Sequence, residues 1–577
     1  MNPKIIEARS LGTGKERSFL LIIGIDVGGT HTDAVLLKDR RLFKKVKIET
    51  RPDDLVSSLL EAADDLLAEE DGNEIERVTV STTLATNAII QNKTDRVAMA
   101  VSTGPGLGAS QLPGFDNLYF LSGYINHRGM EVARLQPGEL EEIRDDITRK
   151  GIRLAGVVGK FSSRNPLHEI QIADLLKEKV DHASLGHRMS GNLNFPRRMA
   201  TAYLNAAVWP LHRHFVHDVQ QFIAERGIKA PVYILKADGG TFSLAASEFS
   251  PCQTILSGPA ASVMGTLHVL APDEDAVVLD IGSTTTDIAL FARGVPLLEP
   301  LGVTLGGYRT LIRGLRTRSI GIGGDSAVTL SDNGLVIGPD RKGPAAAMGG
   351  PAPTPTDAMI VSGRLAIGRR EAAVQALHSL AEPLGKTVTA VAEAIFNLTC
   401  NSIAQAVRDT IEEVNRRPVY TIHELLEGKT LSPRAIYVVG GPAGIMASPI
   451  AERLSFVPHV PGYAEVANAV GAALARTTAE VTLLADTERG ILTFGEEGLT
   501  MAISSDFTRE EAMALAREKL RERALDIGAD PVGLAVEITE DQVFPMVRDF
   551  YTTGKNIRVK AQIKPGLLFY PELGVPI

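Results

Sequence analysis

The feature that most constrains this chain is an octapeptide that occurs twice. Residues 26–33 read DVGGTHTD and residues 280–287 read DIGSTTTD, roughly 250 residues apart, with five of the eight positions identical. Val27 is matched by Ile281, and apolar, strand-like runs flank each copy: LLIIGI and AVLL around the first, AVVL and IALF around the second. Two copies this far apart do not make a solenoid, whose periods are about 20–50 residues. They point to a duplicated domain with one equivalent β-hairpin in each half. After Asp33 the chain reads AVLLKDRRLFKKVKIET: strand, charged turn, alternating strand. No helix opens at the glycines. This argues against a P-loop or a dinucleotide fingerprint, both of which set their Gly-rich turn at a helix start.

A chain of 577 residues is too long for one core, and about 150 residues per domain suggests three or four units. The pattern predicts a helix over 53–71 and a strand ending in a polar turn over 76–91. A helix is expected around Met199–Phe222, and a Gly-rich turn over 235–242. The Gly- and Pro-rich stretch 337–357 is too long for a plain connector and reads as a functional or mobile loop. Helices fill roughly 370–415, and a strand over 435–439 runs into a double glycine and a helix. The expected organisation is a leader (1–20), a first domain (21–275), a second (276–460), a helix returning to the first (461–479) and a small α+β unit (480–577), the last with a helix in TREEAMALAREKLRERALDIG.

Asp-x-Gly-x-Thr-x-Thr-Asp has a specific chemical use. Glycines let backbone N–H groups approach an anion closely, threonine hydroxyls add donors and acceptors, and a strand-end aspartate offers a hard oxygen ligand for Mg²⁺. Two such hairpins face to face would clamp a triphosphate. Gly28, Gly29, Thr30, His31 and Thr32 would serve on one side, and Gly282, Ser283, Thr284, Thr285 and Thr286 on the other. Asp26 and Asp280 would hold the metal. The alternative is a plain Gly/Thr turn between buried strands, which needs neither the acids nor both threonines. A third element, VVGGPAG (438–444), is a strand-to-helix turn on which an adenosine could lie, through Gly440, Gly441, Pro442 and Gly444, although Gly-Gly before a helix also serves simple packing. Phosphate site, phosphate site and adenosine site follow in the chain order of the sugar-kinase, chaperone and actin superfamily. The expected fold is therefore α/β, with two ribonuclease-H-like domains around an ATP cleft.

Longer stretches narrow the resemblance. GIDVGGTHTDAVLL (24–37), STTLATNAII (81–90), the Asn-Pro-x-His-Glu segment (165–169), KADGGTF (236–242), PCQTILSGPAASVMGT (251–266), LDIGSTTTDIAL (279–290), SIGIGGDSAV (319–328), TPTDAMIVSGRL (354–365) and ANAVGAALA (467–475) stand in consistent order. Together they resemble the hydantoinase A/5-oxoprolinase family, which includes ATP-dependent hydantoin hydrolases and the ATP-binding subunits of acetone- and acetophenone-type carboxylases. The resemblance implies an ATP- and Mg²⁺-dependent hydrolase that opens a cyclic amide or ureide by phosphorylating its carbonyl oxygen. It also implies a companion hydantoinase-B-type subunit or a homo-oligomer. The rival readings are an ATP-binding subunit of a ketone carboxylase and a non-catalytic nucleotide switch. Three departures stand out: Asp325 where the family has a third glycine, Ser283 in place of a second glycine, and a short tail beyond 480.

Asp287 and Asp33 are the candidates for orienting the nucleophile or taking its proton, with a strand-end role as the alternative. Thr82, Thr83, Gly323, Gly324, Asp325 and Ser326 are candidates for touching substrate. His168 with Glu169 could form an acid–base pair or a helix start; His212, His214 and His217 share one helical stretch without an accompanying acid or cysteine set. A net charge of −9 gives no case for nucleic-acid binding. Two distant cysteines, Cys252 and Cys400, make a disulfide framework, a thiolate zinc site and an iron–sulfur cluster improbable. No apolar run reaches the ~18 residues of a membrane span, and the first residues lack a signal-peptide pattern, so the cytosol is the expected compartment.

Overall fold

The computed structural model describes residues 21–572, apart from 52, 69–71, 272, 333, 417–429 and 532; the expected leader lies outside the described residues. Both halves use one strand order. In the first, Leu21–Val27 pairs antiparallel with His31–Lys38, which pairs with Arg41–Glu49. On its other side Leu21–Val27 runs parallel to Ile75–Thr82, and that strand runs parallel to Val232–Leu235. In the second half Ala276–Ile281 pairs antiparallel with Thr286–Ala292, whose outer neighbours are Val295–Pro296 and Thr317–Ile320. The far side carries Ala435–Val439 and then Val457–His459, both parallel. A hairpin plus two parallel strands, built twice, is the ribonuclease-H-like arrangement expected from the repeat. In each half the aspartate closing the hairpin's first strand faces the one opening its second: Asp26 opposite Asp33, Asp280 opposite Asp287.

Burial on both faces explains why these strands read as near-continuous apolar runs. Leu21, Ile23 and Ile25 join Leu59, Leu66, Phe215 and Phe222 in one core; Val277, Leu279 and Ile281 join Phe396, Ile403, Val438 and Ile450 in another. The helix Leu55–Leu67 covers the first sheet, capped by Asp54, whose carboxylate accepts from the Ser57 N–H. Helices Arg370–Leu384 and Val388–Asn415 fill the second half as expected.

The sequence did not announce a separate four-stranded parallel sheet inserted into the first half, ordered His182–Leu185, Leu154–Gly159, Val97–Ser102, Leu118–Phe120. The long helix Phe195–Glu225 joins it to the main sheet: Phe195, Met199 and Ala202 pack in the insertion's core, and Phe215, Val219 and Phe222 in the main one. The return helix, Ala467–Leu474, lies tight on the first half. A Cβ on Gly24 would sit 2.1 Å from the Ala469 carbonyl, and one on Gly471 would sit 2.0 Å from that of Ala261. The C-terminal unit is a five-stranded antiparallel sheet backed by the helix Arg509–Asp526. Among the described residues, no helix is long and apolar enough to cross a membrane.

The 337–357 stretch, expected as a functional or mobile loop, packs around the buried Asp357, whose carboxylate accepts from the Ala346, Ala347 and Thr354 N–H groups and the Thr354 hydroxyl.

Candidate active site

Each hairpin closes on the same turn. The Gly28 N–H donates to the His31 carbonyl at 3.0 Å, and the Gly282 N–H donates to the Thr285 carbonyl at 2.9 Å. The two turns meet: Thr30 Oγ1 lies 2.8 Å from Ser283 Oγ. Residues some 250 positions apart thus touch between the two halves, and the Asp280 charge is felt at Asp26. Asp280 Oδ2 accepts from the Ser262 hydroxyl at 2.5 Å and from the Asn468 amide at 3.2 Å. Asp26 is buried, and its Oδ1 and the neighbouring Ser81 hydroxyl have no hydrogen-bond partner. Burial raises the Asp26 carboxyl to about 7; nearby Ser81 and Asn468 pull it down, while the Asp33 and Asp280 charges push it up. Asp287 is likewise raised to about 7, by burial first and the Asp280 charge second.

Asp33 is different. Lys47 Nζ donates to it at 2.7 Å. Among the described residues it alone of the four aspartates has an ion-pair partner.

Thr32 and Thr286 depart from expectation. Both are fully buried; the Thr32 hydroxyl pairs with that of Thr50 at 2.9 Å, and Thr286 donates to the Ile322 carbonyl at 2.7 Å. They hold their hairpins to the neighbouring chain and do not face the cleft. His31 is on the exposed side, its imidazole pKa lowered by partial desolvation of the ring and then by the Lys47 charge.

The double-glycine turn abuts the second hairpin. Gly440 has φ +96°, and a Cβ there would lie 2.2 Å from the Ile281 carbonyl and 3.0 Å from Asp280 Oδ1. Gly441 and Gly444 instead face open space, while Pro442 caps the helix Ala443–Leu454. Gly323–Ser326 acts as a brace: the Gly324 and Asp325 N–H groups donate to the Gly282 and Ser283 carbonyls at 2.9 and 2.7 Å. Ser326 is fully buried and accepts from the Gly323 N–H, so it supports this turn and does not face substrate. Asp325, where a glycine was expected, faces Arg341 at 3.5 Å and the Thr356 hydroxyl at 3.3 Å; burial raises its carboxyl. Thr82 is buried and accepts from the Leu84 N–H, while Thr83, partly exposed, donates to the Val27 carbonyl beside the first hairpin.

The histidines lie elsewhere. His168 pairs with Glu131 at 2.9 Å, and Glu169 pairs with His187 at 2.6 Å, so the two neighbours do not act on each other. His212 meets Ser247, His214 meets the Pro210 carbonyl, and His217 is exposed. Ser262, Asn468 and Lys47 were not singled out from sequence. Ser262 and Asn468 do fall within the stretches that carried the family resemblance.

The residues fit Mg·ATP. Each hairpin sets two aspartates opposite each other in register, and in the first of them Lys47 already pairs with Asp33. Asp26 keeps a buried oxygen with no partner. Among the described residues no three His, Cys, Asp or Glu side chains converge on a metal position. Mg²⁺ takes one or two carboxylates and completes its shell with phosphate oxygens and water.

Hydantoinase/oxoprolinase family models match residues 198–481, and the N-terminal region of that family matches residues 22–180. This chain belongs to the hydantoinase/oxoprolinase family. It is 25% identical to caprolactamase subunit alpha of Pseudomonas jessenii, covering 87% of this chain and 75% of that one. It is 24% identical to 5-oxoprolinase 1 of Arabidopsis thaliana over 87% of this chain but 44% of the relative, and it spans 64% of an uncharacterised Methanocaldococcus jannaschii relative at 24% identity. The fold is shared with nucleotide-free acetone carboxylase (TM-score 0.72, 18% identity, 97% of this chain and 89% of that one). It is shared also with the ATP-dependent caprolactamase of Pseudomonas jessenii (TM-score 0.70, 21% identity, 96% and 89%).

Proposed function

We propose that this chain binds Mg·ATP between its two hairpins and uses it to open a cyclic amide or ureide of hydantoin or 5-oxoproline type. The observation that carries the reading is the meeting of Thr30 with Ser283, with Asp26 near enough to Asp280 to feel its charge. The family's named members, a caprolactamase and a 5-oxoprolinase, support the substrate class. Bound there, Mg·ATP would supply the phosphoryl group that activates a carbonyl oxygen and makes its carbon open to water.

The chain's own residues have defined tasks. Asp26 and Asp280 would hold the cation, and Ser262 and Asn468 fix the Asp280 carboxylate. Backbone N–H groups of the turns starting at Gly28 and Gly282 would neutralise phosphate charge, the dominant contribution in phosphoryl transfer. Gly441 and Gly444, facing open space, leave room for an adenosine. Asp287 is the proton acceptor for the attacking nucleophile, because Lys47 already engages Asp33.

The test is ADP formation across a panel of cyclic amides, ketones and bicarbonate, with and without a companion subunit. The reading expects ADP only with a hydantoin- or pyroglutamate-like compound. Dependence on ketone and bicarbonate would replace it with a carboxylase-subunit role, and slow hydrolysis without any small substrate would replace it with a nucleotide switch.

A further inference from the structure

The turn in KADGGTF (236–242) takes no part in the chemistry proposed for the hairpins. It is held by the buried Asp238, which accepts from the Gly240 N–H at 3.0 Å and from the Thr478 hydroxyl at 2.8 Å. Gly239 has φ +79°, and a Cβ there would lie 2.7 Å from Met264 Sδ. Ser262, two positions earlier on the same helix, reaches Asp280. Residues two apart on a helix stand roughly 200° apart around its axis. The turn therefore lies behind that helix, on the side away from Asp280.

Three parts of the molecule bring a cation to this turn. The first half supplies Lys236, whose Nζ donates to the Thr478 carbonyl at 2.8 Å. The second half supplies Arg313, brought in where the Leu315 N–H donates to the Ala237 carbonyl at 2.8 Å. The C-terminal unit supplies Arg523, from the last turn of the helix Arg509–Asp526. Just beyond that helix the Ile527 carbonyl accepts from the Ser243 N–H at 2.8 Å, and the Gly528 carbonyl accepts from the Tyr233 hydroxyl at 2.7 Å.

The charges here do not balance. Glu480 pairs with Lys560 at 3.0 Å and Glu537 with Lys564 at 2.8 Å, so these carboxylates bring their own cations. Asp238 Oδ2 lies 3.6 Å from Lys236 Nζ and 3.6 Å from Arg313 Nη1. Lys236, Arg313 and Arg523 thus share one acid. Burial pushes the Lys236 ammonium down; Asp238 and Glu480 oppose this, while the Arg313 and Arg523 charges add to it. Arg313 Nη2 and Arg523 Nη1 are moreover buried donors without an acceptor. Roughly 90% or more of buried polar groups have one. Side-chain exposure rises outward, from 7% at Lys236 through 15% at Arg313 to 49% at Lys564, so a small solute has a way in.

We propose that Lys236, Arg313 and Arg523 bind a phosphate group, a dianion that ties the first half, the second half and the C-terminal unit together. Two guanidinium forks offer paired N–H groups to the oxygens of a tetrahedral anion, and the lysine adds a point charge. A dianion also matches three cations that share one acid, whereas a monocarboxylate leaves one of them unmatched. The inference stands independently of the nucleotide reading.

The test uses the full chain without nucleotide, titrated by calorimetry with inorganic phosphate and, in a parallel arm, with glycerol phosphate. Thermal unfolding is followed in phosphate against chloride at equal ionic strength. Binding to the native state should raise the wild-type unfolding temperature in phosphate. Arg313→Gln and Arg523→Gln should each weaken phosphate at least tenfold and abolish that rise. The rise is taken within each variant, so any change in intrinsic stability cancels. Arg509→Gln, at the other end of the same helix, should leave affinity unchanged. The tighter of the two titrants tells a free ion from a phosphate ester. Affinity within three-fold of wild type in both Arg313→Gln and Arg523→Gln would place the anion elsewhere, the hairpin cleft included, and overturn the proposal. So would a wild type that binds neither titrant.

Discussion

Gly440→Ala is the substitution on which the site geometry speaks most directly. Its φ of +96° is outside the range an alanine adopts comfortably, which costs about 1–2 kcal/mol. The new methyl would also lie 2.2 Å from the Ile281 carbonyl, over an ångström inside ordinary contact, and relieving that overlap costs about 1–3 kcal/mol more. The sum is roughly 2–5 kcal/mol. Expressed in stability at roughly 2–4 °C per kcal/mol, it lowers the unfolding temperature by about 4–20 °C. Because the contact is with the strand that carries Asp280, any relaxation moves the second hairpin and weakens Mg·ATP binding at least tenfold. Gly441→Ala is the matched control: its Cβ meets open space, so stability stays within about 0.5 kcal/mol while an adenosine lying there would be displaced. Differential scanning calorimetry and isothermal titration with Mg·ATP separate the two. The reasoning is refuted if Gly440→Ala melts and binds like wild type, or if Gly441→Ala keeps full nucleotide affinity.

Other expectations follow from the same geometry. Asp26→Asn and Asp280→Asn should each weaken Mg·ATP binding or turnover tenfold or more, with the fold intact by circular dichroism; unchanged affinity and turnover in both would end the metal assignment. Asn468→Ala removes the amide that donates to Asp280, and should raise the Mg²⁺ concentration needed for half-maximal turnover several-fold; an unaltered Mg²⁺ dependence would make Asn468 a packing residue. Buried His212 has its pKa lowered from 6.5 to about 4 by desolvation. The unfolded state therefore binds the extra proton first, and stability present above pH 6.5 is lost as pH falls toward 4. At about 1.4 kcal/mol per pH unit that loss is on the order of 3 kcal/mol. Urea midpoints between pH 7 and 4 should show a shallower decline in His212→Gln, and equal slopes would contradict it.

The hairpins were legible because two constraints coincide in them. A strand end followed by Gly and Thr has few uses, and the same eight positions recur. Even the facing of Asp26 with Asp33 follows once the turn is placed. What strand alternation implied, and the motif obscured, is that Thr32 and Asp33 point to opposite faces. Both cannot line the cleft, and Thr32 and Thr286 went to the buried side. Asn468 reaches Asp280 from a helix 188 residues further on and Ser262 from one 18 residues before it, so neither belongs to the hairpin pattern itself. The inserted parallel sheet was hidden because its fully buried strands, such as VAMAVS and LAGVVG, lack the alternation that separates strand from buried helix. Asp325 stands where a glycine was expected, and Arg341 and Thr356 accommodate it in a turn whose backbone braces the second hairpin.

The most direct test of the central claim is a crystal structure with Mg²⁺ and a non-hydrolysable ATP analogue. The account predicts the triphosphate between the Gly28–Thr30 and Gly282–Thr284 turns, the cation beside Asp26 and Asp280, and the adenosine against Gly441 and Gly444. A nucleotide bound outside that cleft, with Thr30 and Ser283 still in contact and both aspartates without metal, would contradict it.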